Sequence, residues 1–216
     1  FFKTEPLADQ ELRKRLLNLA ERSHIKIRNV FQIRLSSKTT AGNAMLMGWG
    51  NTRRIIIGDT MLQRYAPEEI EVVMAHELGH HRHGDIVRQI AVQSALMLLG
   101  FYFMKLTLDW AAPRLDMSGI SDVAALPLLA LVGAAFALVL MPLSNAYSRH
   151  LEESADRYSL DVTKNPEAFA SMLTRLTDQN LSESKPSRWV ELLLYDHPPY
   201  SKRVELANRY RNEDKG

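Results

Sequence analysis

Residues 123–143 read VAALPLLALVGAAFALVLMPL, a run of 21 residues without a charged or hydrogen-bonding side chain. Wound as an α-helix, that run would measure about 31 Å, the thickness of one hydrocarbon core. No other feature constrains the fold as strongly, and the run predicts a transmembrane helix. Pro127 and Pro142 stand near its ends, where a kink is tolerated. Residues 90–108 form a second, weaker run, interrupted by Gln93, Ser94 and Lys105. Lys105 lies near the end of that run and can snorkel, while Tyr102 and Trp110 suit a membrane interface. Together the two runs predict a transmembrane helical hairpin inserted at 90–143. The same residues would also serve as two buried core helices of a soluble protein, because hydropathy alone does not separate the two cases.

Immediately before the hairpin comes His76-Glu77-Leu78-Gly79-His80. Two imidazoles four residues apart share one helix face and can grip a single zinc ion, which is the H-E-x-x-H pattern of zinc-dependent peptidases. Both histidines would bind as neutral imidazoles, while Glu77 would take a proton from water made acidic by the metal. The flanking residues predict a helix here. Pro67 suits a first helical position, Glu68 and Glu69 complement the N-terminus, and Ile70, Val73, Met74 and Leu78 recur at helical spacing. His81 and His83 follow at once, so the motif could merely decorate a histidine-rich helix end. A HExxH peptidase needs a third protein ligand from elsewhere, and Glu152-Glu153-Ser154-Ala155-Asp156, just past the second apolar run, offers carboxylates for it. Glu152 and Asp156 lie four apart on one helix face, so one can bind metal while the other orients a ligand. Spacing alone does not separate Glu152 from Glu153.

HELGH at 76–80, S-R-x-x-E-x-x-A-D ending at Asp156 and H-P-P-x-x-x-R ending at Arg203 occur in this order. The set resembles the M48 family of membrane zinc metallopeptidases, which includes the Ste24-type CAAX prenyl proteases and the HtpX-type quality-control proteases. The resemblance runs from about Leu7 to the Arg203 region. It implies a zincin-like α+β fold, mainly α-helical, with a small antiparallel sheet. It further implies His76, His80 and Glu152 as ligands of one zinc ion, Glu77 as general base and acid, and Asp156 as the carboxylate behind a ligating histidine. Glu152 is preferred over Glu153 because the family's E-x-x-x-D spacing reaches Asp156 only from Glu152. In the same way His197 is implied to face the site, where it would hydrogen-bond the developing oxyanion, with Asn145 a partner holding substrate backbone. A histidine before two prolines is otherwise an ordinary loop residue. Arg149 and Arg203 read as structural, tying helices together or pairing with carboxylates.

Composition excludes other classes. The chain has 216 residues, 46% of them hydrophobic, and a formal net charge of +2. That is enough for one sizeable domain, here a single peptidase domain over 1–216, and its scattered basic residues argue against a nucleic-acid partner. There is no cysteine, so histidine and carboxylate must carry any metal. The chain begins at Phe1 with no signal peptide, which together with the resemblance leads us to expect further transmembrane helices before it.

The order of segments adds an argument. The histidines end just before the first apolar run and Glu152 follows the second, so an out-and-back hairpin would return the chain to the metal. Arg82, Arg88, Arg149 and Arg157 flank the hairpin on that side, while the far loop sets Lys105 and Arg114 against Asp109, Asp116 and Asp122. By the positive-inside rule the site faces the cytoplasm of a multi-pass membrane protein.

Ahead of the motif, 7–22 reads as an amphipathic helix with Leu12, Leu16 and Leu19 on one face, and 27–35 as a strand. Residues 43–49 and 53–57, separated by Gly50-Asn51, read as a hairpin, with Gly58-Asp59-Thr60 capping a short helix. Asn43, Ala44 and Met45 would offer an edge to which an extended peptide substrate adds by main-chain hydrogen bonds. Past Asp156, Asn165-Pro166 opens a helix to about Gln179, and Ser187 opens another through Leu194. The expected activity is membrane-embedded zinc-dependent endopeptidase action on membrane or misfolded proteins, of HtpX type, with the lipid bilayer as the other partner. A CAAX prenyl endopeptidase, a compact soluble zinc peptidase and a catalytically dead membrane scaffold are the alternatives.

Overall fold

The computed structural model of the chain describes residues 4–39, 41–117, 122–180 and 186–213. Phe1, on which the expectation of preceding helices partly rests, lies outside the described residues. Four strands, β1 (Thr4–Pro6), β2 (Asn29–Ile33), β3 (Ala44–Met47) and β4 (Arg54–Gly58), form one sheet in the order β1-β2-β4-β3. Eight α-helices complete the described fold: α1 (Gln10–Arg22), α2 (Asp59–Arg64), α3 (Pro67–His83), α4 (Asp85–Ala111), α5 (Leu126–Thr163), α6 (Pro166–Asn180), α7 (Arg188–Leu194) and α8 (Tyr200–Glu213). The protein is therefore α+β and mainly helical, as expected.

The sheet is mixed where an antiparallel one was expected. β3 and β4 form the expected hairpin, with Leu46 opposite Ile55, but β2 and β4 run parallel, with Val30 opposite Ile55. The 20-residue connection 34–53 between β2 and β4 explains this: it is long enough for a crossover and carries β3 to the outer edge on the way. β4 is consequently central. Ile55, Ile56 and Ile57 are all buried, which accounts for an unbroken apolar run where a half-exposed strand would alternate. α1 starts three residues later than its periodicity suggests. The Asp9 carboxylate accepts the Leu12 N–H at 3.0 Å and caps the helix there, while Leu7, also buried, belongs to the segment leaving β1.

Leu12, Leu16 and Leu19 of α1, Ile55 and Ile57 of β4, and Ile70, Met74 and Leu78 of α3 make one core. Leu160 of α5 with Phe169 and Met172 of α6 close it from the other side. α4 and the first half of α5 leave this core as a hairpin. Rings of Phe103 and Phe136 lie 5.8 Å apart between them, and Gln93 donates to Ser144 Oγ at 2.9 Å. Their outer faces are bare, with Leu98 69% and Val139 74% exposed. Both helices are long and apolar enough to cross a membrane. α5 continues through Pro142 as one helix of 38 residues. One continuous helix thus joins the apolar run to Glu152.

Candidate metal centre

α3 packs along the second half of α5, and Gly79 permits the approach. A Cβ at Gly79 would lie 3.2 Å from the Ala155 backbone and 3.2 Å from the Tyr158 ring, so the glycine of HELGH is what lets the two ligand-bearing helices close. Across that contact, the Nε2 atoms of His76 and His80 stand 3.1 Å apart. Glu152 reaches both, with 3.3 Å from Oε2 to His76 Nε2 and 3.3 Å from Oε1 to His80 Nε2. Three donors from two helices therefore converge on one point and could hold a metal ion. Tetrahedral ligands about 2.0–2.1 Å from a zinc ion lie roughly 3.3 Å from one another, so the spacing and the N,N,O donor set fit such an ion. Glu153 instead pairs with Arg157 at the surface, at 2.8 Å.

Each imidazole is aimed from behind. His76 Nδ1 lies 2.9 Å from Asp156 Oδ1, and Asp156 is wholly buried. Arg203 of α8 holds that carboxylate with two bonds, 2.7 Å from Nε to Oδ2 and 2.6 Å from Nη2 to Oδ1. His80 Nδ1 lies 2.9 Å from Asp85 Oδ2. With Nδ1 committed to a carboxylate, the Nε2 lone pair is free to face the metal position. Sequence reasoning missed Asp85. It sits five residues past His80, beyond a turn made by Gly84 at φ 71°, where α3 ends and α4 begins, so no helical period links the two.

The ionisable groups of the centre shift one another. Burial pulls the His76 imidazole down, but its bonds to Asp156 and Glu152 outweigh that and push it up to about 9. Burial likewise raises the Glu152 carboxyl, and the hydrogen bonds of His197, His76 and His80 reverse this, holding it well below the usual carboxylate range. Burial pushes the Glu77 carboxyl up, against the pull of the two neighbouring imidazoles.

The centre opens on a cavity of about 420 Å³. Glu77, His197, Asn43 and Ala44 line it, as do Met172 of α6 and Tyr200 of α8. His197 Nδ1 stands 3.1 Å from Glu152 Oε2. Asn43 and Ala44 lie where the β3 edge meets the cavity; Met45, next along the strand, faces the other side of the sheet and is not among the lining residues. Asn145 is elsewhere. Its Nδ2 donates to the Leu193 carbonyl of α7 at 2.6 Å, and its side chain borders the α4–α5 groove rather than the cavity. Asn145 is two turns nearer the apolar run than Glu152, which separates it from the candidate metal centre.

Residues 6–211 match Peptidase family M48. An "Uncharacterized metalloprotease YhfN" of Bacillus subtilis is 33% identical over 96% of this chain and 50% of its own length. A "CAAX prenyl protease 1 homolog" of Oryza sativa subsp. japonica is 28% identical over 94% of this chain and 48% of its own. A "Protease HtpX homolog" of Streptococcus gordonii is 30% identical over 66% of this chain and 54% of its own. The crystal structure of S. mikatae Ste24p superposes with a TM-score of 0.82 at 23% identity, covering 96% of this chain and 52% of that one, which shows a shared fold. The chain thus spans about half the length of the relatives it matches.

Proposed function

Because the chain belongs to peptidase family M48, we propose that it is a zinc-dependent metalloendopeptidase working at a membrane surface. The observation that carries this reading is the convergence of His76 Nε2, His80 Nε2 and Glu152 within 3.3 Å of one another, with Glu77 beside them in an open cavity. Held by His76, His80 and Glu152, zinc would supply Lewis acidity, making water easier to deprotonate and a peptide carbonyl more open to attack. The residues do the rest. An extended peptide pairs with the β3 edge at Asn43 and Ala44, which holds its scissile bond over the cavity. Glu77 takes the proton from the attacking water and returns it to the leaving amine, and its burial suits a base that must also act as an acid. His197 donates to the carbonyl oxygen as negative charge develops there. Asp156 and Asp85 keep both imidazoles in the metal-binding tautomer, and Arg203 keeps Asp156 in place. No covalent intermediate with the chain is needed.

The hairpin of α4 and α5 would span the bilayer, with the metal centre on its cytoplasmic side and the peptidase unit formed by the whole chain. Membrane or misfolded proteins are the first substrate class. The match of 94% of this chain to about half of a CAAX prenyl protease homolog supports prenylated C-terminal peptides as the second.

The test compares the detergent-purified chain with Glu77→Gln for bound zinc and for cleavage of an unfolded casein-type substrate and a prenylated peptide. We expect about one equivalent of zinc in both proteins, and a loss of about 10²–10⁴-fold in cleavage in the variant. Equal cleavage by both would remove Glu77 as the base, and a chain without zinc would overturn the centre. Cleavage of only the prenylated peptide would select the second substrate class.

A further inference from the structure

α7 is built inside out. Trp189, Leu192, Leu193 and Leu194 are 74%, 40%, 39% and 65% exposed, whereas Glu191 turns inward to pair with Lys202 of α8. A short helix that shows water its apolar side chains and turns its charge inward is missing an apolar neighbour. Its position identifies that neighbour. Asn145 of α5 holds the Leu193 carbonyl at 2.6 Å, and Arg149 donates to the Glu191 and Tyr195 carbonyls. Asn145 is two residues past the apolar run 123–143, so α7 is fastened at the height where the hairpin leaves its apolar zone. On α4 the same height is marked by Gln93, which bonds Ser144, and the turns above it expose Ile86 and Ile90 beside Arg88.

We propose that α7 lies in the headgroup and upper acyl region of the bilayer, with Trp189 and its leucines in lipid, as a third membrane contact beside the hairpin. Tryptophan and leucine with a basic residue beside them, here Arg188, are the composition such an interface takes. This rests on the reading of the hairpin as membrane-spanning. Its consequence is that His197, three residues past the end of α7, reaches Glu152 from a segment seated on lipid, so the cavity faces polypeptide close to the bilayer surface.

Single-tryptophan versions of the full chain test this in phosphatidylcholine–phosphatidylglycerol vesicles brominated on the upper acyl chain. Trp49→Phe with Trp110→Phe leaves Trp189 as the reporter; Trp49→Phe with Trp189→Phe leaves Trp110, at the far end of α4. We expect both reporters to lose most of their emission relative to unbrominated vesicles. Quenching of Trp110 without Trp189 would overturn the placement of α7, showing protein rather than lipid over it, while the hairpin reading stands. Quenching of neither would overturn both.

Discussion

Asp156 and Asp85 do the same task for two imidazoles, yet only one was legible in the sequence. Asp156 is four residues from Glu152 on one helix, a spacing that places both on a single face. Asp85 is joined to His80 only because Gly84 takes a left-handed conformation and redirects the chain. Asp85 is also the less secured of the two: it is buried, and its Oδ1 makes no hydrogen bond among the described residues and meets only Arg88 Nη1 at 3.8 Å, whereas Arg203 grips both oxygens of Asp156. Asp85→Asn should therefore weaken zinc by about 10–100-fold without removing it, as measured by chelator competition. Unchanged affinity would mean that Asp85 does not orient His80.

At the scale of elements, the contact between α3 and α5 creates the centre, and Gly79 controls it. Gly79→Ala would push a methyl group into the Ala155 backbone and the Tyr158 ring, destabilising the fold by about 1–3 kcal/mol and separating Glu152 from the histidines. A thermal-shift measurement with and without zinc would show a lower melting temperature and a smaller zinc-induced gain. A melting temperature equal to that of the parent would show that the helices can yield there. The N-terminal end of α3 is held by Glu69, which accepts from the Ala66 N–H at 2.8 Å, from Ser171 Oγ at 2.5 Å and from Arg175 Nε at 2.9 Å. Burial raises this carboxyl, but those bonds outweigh it and set it below its ordinary value of 4.5. A lowered folded pKa means the ionised form stabilises the fold; that contribution is complete above 4.5 and fades as the pH falls through the folded value. Glu69→Gln should cost about 1–2 kcal/mol at neutral pH, and the gap to the parent should close in acid unfolding below the ordinary glutamate value. A gap independent of pH would assign the loss to shape rather than charge.

For the whole molecule, a compact α+β body carries an apolar hairpin whose outer faces are bare. A soluble peptidase using α4 and α5 as core would have buried them, whereas most of their large side chains stand exposed, Leu98 and Val139 among them. In a bacterial host the chain should remain with the membranes after an alkaline carbonate wash; release into the supernatant would favour the soluble alternative.

What the sequence determined by itself is what lies within one turn or one run of chain. His76 and His80 share a face because a helix advances about 1.5 Å and 100° per residue. The apolar length of 123–143, the Asn165 cap at the start of α6 and the β3–β4 hairpin are equally local, set by periodicity and turn chemistry. Tertiary structure decided what depends on contacts between distant residues: the parallel pairing of β2 with β4, the bond of Asp85 to His80, and the retreat of Asn145 from the cavity to α7. It also decided the outward apolar face of α7, whose seven residues carry too little periodicity to show which side meets the body. Such pairings follow from which surfaces exclude water together, and no local spacing encodes that.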